Sequence, residues 1–292
     1  MKRRAVYFSG PMAAELREEA CTPPRAGEVL VETVISAISP GTEMLIYRGL
    51  APEEMEVDET ISALGGSFRF PIKFGYSAVG RIVAAGSGVS DDWLGRLVFA
   101  FNPHETRFVA PLTTVIPLPD GITPEAAVFL PNMETAVCFA MDGRPAIGEQ
   151  VAVVGQGVVG LLTTAVLSDY PTALLVTIDP IPLRRERSIE LGATASFPSN
   201  DLVGAKAAIS GNGAHAGADL TYELSGNPGG LNTAIALTGS YGRVVISSWY
   251  GRKRADLDLG GRFHRSHMTL ISSQVSAIAP EWLGRWTKQR RL

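Results

Sequence analysis

The segment that most limits what this chain can fold into is Val151-Ala152-Val153-Val154-Gly155-Gln156-Gly157-Val158-Val159-Gly160. Four apolar residues read as a buried strand, and the spacing Gly-x-Gly-x-x-Gly follows it at once. Glycine at 155 lets the chain turn tightly. Glycine at 157 lets the backbone approach a pyrophosphate, and glycine at 160 lets the next helix pack close to the strand. Val158 and Val159 then open that helix, whose unsatisfied amides and partial positive charge attract phosphates. A second strand, Ala173 to Ile178, ends on Asp179. An acid about twenty residues beyond such a turn accepts hydrogen bonds from an adenosine ribose. The bland alternative is a glycine-rich structural turn with Asp179 capping the following helix.

The pattern after this unit repeats its rhythm. Leu183 to Leu191 reads as a helix closed by Gly192, and Ala218 to Tyr222 as a strand. Gly229 to Leu237 reads as a helix closed by Gly239, and Arg243 to Ser247 and Met268 to Ser272 as strands. Strands alternating with helices imply a doubly wound parallel sheet, so residues 150–179 are expected to be a Rossmann unit binding NAD(H) or NADP(H). Residues 1–122 read differently. Val29 to Ala37, Arg81 to Ala85, Leu97 to Phe101 and Arg107 to Ala110 are short strands among Gly/Pro turns, as in a small barrel or sandwich. The stretch Ala51 to Thr60 is acidic and reads as a solvated face. Pro117-Leu118-Pro119-Asp120-Gly121 marks a boundary, and Thr123-Pro124 opens a helix with threonine as N-cap, giving domains 1–122 and 123–292.

Composition narrows the function. A net charge of −3 over 292 residues favours neither nucleic acid nor an anionic membrane as partner. Cys21 and Cys138 are the two cysteines, too few for a disulfide framework, and a reducing cytoplasm is the expected setting. The apolar run after the basic N-terminus stops at Ser9-Gly10-Pro11, too short for a signal peptide, and no window is long enough to span a membrane.

Three further blocks carry a resemblance to a known family. They are Pro40-Gly41-Thr42-Glu43, Gly75-Tyr76-Ser77-Ala78-Val79-Gly80, and Glu223-Leu224-Ser225-Gly226. With the glycine turn, they make the chain resemble the medium-chain dehydrogenase/reductase superfamily, the alcohol dehydrogenase-like enzymes, in which a GroES-like β-barrel precedes a Rossmann domain. Asn132-Met133-Glu134-Thr135 and Ser248-Trp249-Tyr250-Gly251 are similar to a zinc-type subgroup. A bacteriochlorophyllide-type alcohol dehydrogenase belongs to the same neighbourhood. Zinc members hold the metal at positions that Pro40, Tyr76 and Asn132 occupy here, and these are poor or impossible zinc ligands. No bound zinc is therefore expected. His104 with Glu134, and His264 with His267, are the weaker candidates for a replacement metal site. Family members also continue with a segment that returns to the barrel, whereas this sequence stops at Leu292. The resemblance therefore implies a fragment or an incomplete catalytic domain.

The resemblance also assigns roles. Thr42 stands at the proton-relay hydroxyl, with capping of a local helix as the alternative. Tyr76 is a hydrogen-bond donor to substrate or a packed aromatic. His104 is a proton exchanger or a satisfied structural histidine, and Glu134 a base or a buried ion-pair member. Thr135, Gly155, Gly157, Val158, Val159, Gly160, Asp179, Arg184, Ser225, Gly226 and Trp249 are the expected cofactor contacts, with Tyr250 beside Trp249 as a further wall. Asp179 favours NAD over NADP, while Arg184 and Arg185 would serve a 2′-phosphate. The implied activity is a zinc-independent, NAD(P)-dependent oxidoreductase acting on a small-molecule carbonyl, alcohol or enone. The alternative is a non-catalytic dinucleotide-binding protein or sensor. A homodimer is implied through the Rossmann sheet, with the strand after His267 as its edge.

Overall fold

The computed structural model describes residues 1–55, 57, 64–209, 216–287 and 290. Glu56, Asp58, Glu59 and Thr60 of the acidic stretch lie outside the described residues, as do Gln289, Arg291 and Leu292. The chain divides into two compact units, Met1–Pro131 and Asn132–Leu292.

The first unit is built from antiparallel strands. β1 (Lys2–Gly10) pairs with β2 (Ala13–Ala20), and β3 (Glu28–Ser36) is followed by α1 (Pro40–Tyr47). β4 (Ile72–Lys73), β5 (Ala78–Ala85), β6 (Leu97–Ala100), β7 (Arg107–Pro111) and β8 (Val115–Pro117) complete it, with α2 (Pro124–Ala127) at its end. The strands form one sheet in the order β2-β1-β4 and a curled half-barrel in the order β7-β3-β5-β6-β8. Period-two alternation sorts the core. Ala78, Ile82, Val98 and Ala100 pack with Val29, Val31 and Phe108, while Val79 and Phe99 turn the other way onto Ala127 and Val128. Thr123 caps α2, its hydroxyl accepting from the Ala126 amide.

β1 and β2 are two strands that the sequence reading did not single out. Ala-Ala-Glu-Leu-Arg-Glu-Glu-Ala has little strand character, and the basic N-terminus gave no strand signal. The register explains both: Lys2 and Arg3 lie opposite Ala20 and Glu19, and Lys2 and Arg3 form ion pairs with Glu18 and Glu19.

The second unit begins within α3 (Leu130–Gly143). β9 (Gln150–Val154), α4 (Val158–Ser168), β10 (Leu174–Ile178), α5 (Pro182–Glu190), β11 (Ala195–Phe197) and α6 (Leu202–Ile209) follow. β12 (Ala218–Glu223), α7 (Pro228–Leu237), β13 (Thr238–Ile246) and β14 (Thr269–Ser272) complete it. The six strands are parallel, in the order β11-β10-β9-β12-β13-β14. Ala152 and Val154 of β9 join one core layer with α6 and α7, and Val151 and Val153 join the other with Phe139 and Leu167. One boundary needs correction. Gly239 does not close α7; it lies inside β13, which starts at Thr238 immediately after the helix. At the amino-terminal rim, the Arg243 guanidinium donates to both Glu149 oxygens at 2.7 Å and to the carbonyls of Gly143 and Arg144.

Candidate functional site

Sheet order sets the place of the first site. Chain connections run from β9 outward to β10 in one direction and to β12 in the other, so the direction of winding reverses at β9. In open parallel sheets, ligands bind beyond the carboxyl ends of the strands at such a reversal. The glycine turn lies there. Gly155 has φ +95°, and a Cβ on it would come within 2.5 Å of Ser225 Cα. A Cβ on Gly160 would lie 2.0 Å from the Gly155 carbonyl oxygen, so only glycine lets α4 start so close to the strand. A Cβ on Gly157 meets nothing within 4 Å, which leaves its backbone face open. Gly157 is the N-cap of α4, with no side chain over the helix amides.

Asp179 is 2% exposed. Its Oδ2 accepts from the Gln156 amide at 2.7 Å and its Oδ1 from the Ile181 amide at 2.8 Å. The carboxylate therefore ties the glycine turn to the end of β10, and each oxygen keeps a further lone pair. Ile181, not Asp179, is the N-cap of α5, which removes the capping alternative. Arg184 is 3.6 Å from Asp179 Oδ2, and Arg185 donates to the Asp179 carbonyl at 2.9 Å.

Across the turn stand Ser225 and Gly226. The Ser225 amide donates to Glu223 Oε1 at 2.9 Å, and the Gly226 amide to Ser248 Oγ at 2.9 Å. The Tyr250 hydroxyl donates to Glu223 Oε2 at 2.5 Å. Burial first, then the charge and hydrogen bond of Glu223, push the Tyr250 phenol far above its ordinary range. Trp249, beside it, is half-buried. Glu134 is buried in α3, with Thr135 half-buried next to it. In the sequence Glu223 stood only as the first residue of a family block, with no role; the signal for one was a carboxylate at the end of a buried strand.

The first unit carries a separate polar cluster. Pro40 begins α1 with Ser39 as N-cap, so Thr42 sits inside the first turn and caps nothing. The Ser39 amide donates to Glu43 Oε1 at 2.7 Å. Glu43 Oε2 lies 2.9 Å from His104 Nε2, and His104 Nδ1 lies 2.9 Å from Ser36 Oγ. Glu43 is 1% exposed and His104 8%, so both ring nitrogens are engaged in the interior. The His104 loop is pinned by the Val6 amide on the His104 carbonyl at 2.9 Å. Tyr76 packs edge-on against Phe74, with ring centroids 6.0 Å apart. Burial raises its phenol above the usual range, against hydrogen bonds from the Ser39 and Thr42 hydroxyls. The packed reading of Tyr76 matches this edge-on contact with Phe74. Glu43, the centre of the cluster, was missed in sequence because its partners lie far away along the chain.

The residues at the family's metal positions do not fit zinc. Pro40 offers no donor side chain, and the phenol of Tyr76, raised above its usual range by burial, is a poor zinc ligand. Among the described residues, no group of three or more His, Cys, Asp or Glu side chains could hold a metal ion. His104 is committed to Glu43 and Ser36, and His267 stacks on Tyr241, ring centroids 5.3 Å apart. No helix among the described residues is long and apolar enough to cross a membrane.

No family model matches the chain. It is 24% identical over 301 residues to D-guloside 3-dehydrogenase of Escherichia coli, covering 98% of this chain and 85% of that protein. The structure of 2R,3R-butanediol dehydrogenase from Bacillus subtilis superposes with a TM-score of 0.72 at 18% identity, covering 92% of this chain and 83% of the other. An Escherichia coli alcohol dehydrogenase solved with NADH gives 0.71 at 20% identity, covering 97% and 88%. Its relatives are dehydrogenases of the zinc-type alcohol dehydrogenase-like kind, and its structural neighbours share that fold. The relatives include 2-dehydro-3-deoxy-L-galactonate 5-dehydrogenase and L-threonine 3-dehydrogenase, which supports an oxidoreductase role. The half-barrel and the six-stranded sheet are the two parts of the alcohol dehydrogenase fold.

Proposed function

We propose that this chain transfers hydride between a nicotinamide dinucleotide and a small carbonyl, alcohol or enone without zinc. The observation that carries the reading is the Tyr76 ring, packed edge-on against Phe74 at a position where zinc members keep a ligand. When bound, the nicotinamide supplies or accepts the hydride. The glycine turn and the amino end of α4 hold the pyrophosphate, and Asp179 takes the adenosine ribose. A buried carboxylate at that position disfavours a 2′-phosphate, so NAD is the preferred cofactor. Tyr76 and Thr42 supply the proton and hydrogen bonds that a carbonyl oxygen needs as charge develops on it. With its phenol held above the usual range, Tyr76 stays protonated and able to donate through neutral pH.

A second reading has an observation of its own. Both nitrogens of His104 and both oxygens of Glu43 are satisfied internally, as in a structural cluster of a non-catalytic dinucleotide-binding protein. One experiment separates the readings. NADH and NADPH titrations, followed by turnover across a carbonyl and enone panel, are run before and after exhaustive chelation. The proposal expects tighter NADH binding and turnover that survives chelation. Activity lost to the chelator and restored by zinc would overturn it, and binding without any turnover would favour the second reading.

A further inference from the structure

Glu223 ends β12 and is completely buried, although it is a carboxylate. A buried charge is tolerated when hydrogen bonds replace its water, and here they come from two separate segments. Oε1 accepts from the amide and the hydroxyl of Ser225, on the turn after β12. Oε2 accepts from the Tyr250 hydroxyl, on the segment after β13. Further bonds join the same two segments. The Ser247 amide donates to the Glu223 carbonyl at 3.0 Å, the Gly226 amide to Ser248 Oγ at 2.9 Å, and Lys253 Nζ to the Gly226 carbonyl at 2.6 Å. Gly230 of α7 leaves the space for this arrangement. A Cβ there would come within 2.2 Å of Ser225 Oγ and 2.7 Å of Glu223 Oε1.

The clasp stands on one defined side of the glycine turn. β9 lies between β10 and β12, and Asp179 ends β10. With the adenosine ribose at Asp179 and the pyrophosphate at the turn, the other half of a dinucleotide must run over the ends of β12 and β13. Exposed Ser225 borders that path, since a Cβ on Gly155 would touch its Cα. We propose that Glu223 is a positioning residue that clasps the Ser225–Gly226 turn to the Trp249–Tyr250 segment and so shapes the pocket for the nicotinamide half. The inference rests on the cofactor reading above. Glu223 acts through Ser225 and Tyr250 and touches no reacting atom.

Calorimetric titration of the full chain with NADH and with ADP-ribose, which lacks the nicotinamide half, tests it. Glu223→Ala should weaken NADH on the order of tenfold, the size of one charge-assisted hydrogen bond, and leave ADP-ribose within about twofold. Glu223→Gln keeps an acceptor for Ser225 and should restore NADH binding. Tyr250→Phe, which opens only one arm of the clasp, should weaken NADH selectively and serves as the test if Glu223→Ala does not fold. Equal weakening of both ligands, or of neither, overturns the proposal. Wild-type protein that binds neither ligand overturns the cofactor reading itself and this inference with it. Wild type that binds both, with variants that do not discriminate them, overturns this inference alone.

Discussion

In the second unit, the residues around the glycine turn are close neighbours in sequence, and Asp179 reaches back only 23 positions to the Gln156 amide. In the first unit, His104 meets Glu43 across 61 positions and Ser36 across 68. The turn is made of backbone: amides, a helix end and missing side chains. The cluster is made of side chains that three separate elements must bring together. A backbone site survives most changes of side chain but not the gain of one atom at Gly155 or Gly160. A side-chain cluster fails one partner at a time.

The largest expected effect follows from that difference. Gly160→Ala puts a methyl against the Gly155 carbonyl, and the turn has to shift. Affinity for NADH should fall about a hundredfold, as overpacking of a few kcal/mol implies. Wild-type affinity in this variant would show that the dinucleotide does not sit on the turn.

Next in size is Glu43→Ala, which leaves His104 Nε2 and the Ser39 amide buried without their acceptor. Loss of a buried, charge-assisted partner should cost about 3 kcal/mol in urea unfolding of the first unit and reduce turnover. NADH affinity should stay as in wild type. A parallel fall in NADH affinity would break the division of labour between the units.

These two sites were not equally legible. The glycines, α4 and the strands around them follow from local pattern, since each step of a βαβ unit has its own short signature. Asp179 was legible as an acid at the right spacing, but not its bonds to Gln156 and Ile181. Tyr76 and His104 came from family resemblance, and Glu43 from neither source. Nothing in a lone Glu after Gly-Thr announces that a histidine from another strand's loop will close on it. β1 and β2 were hidden for a related reason: their stability lies in charges paired across strands, which no single strand displays.

The smallest effect concerns the amino-terminal rim. Burial raises the Glu149 carboxyl, but the Arg243 hydrogen bonds, the Ala146 amide and the Arg243 charge outweigh it, and the net shift is downward. A carboxyl held lower in the folded state stabilises the fold above its unfolded value and loses that contribution as pH falls through the acidic range. Urea unfolding of wild type should weaken from about pH 5 downward, and Arg243→Gln should flatten part of that dependence. An unchanged slope in Arg243→Gln would mean that the pair is not what couples the rim to pH.

The Arg243–Glu149 rivet fastens the start of β9, the end of α3 and β13 at the rim opposite the glycine turn. A parallel sheet sends every strand toward the same working edge, and here the other edge carries the anchorage. Loops such as those holding Ser225 and Tyr250 can then lengthen, shorten or exchange residues while the foundation holds. A lineage with this layout can be retuned to new substrates by drift at one rim, with little toll on folding at the other.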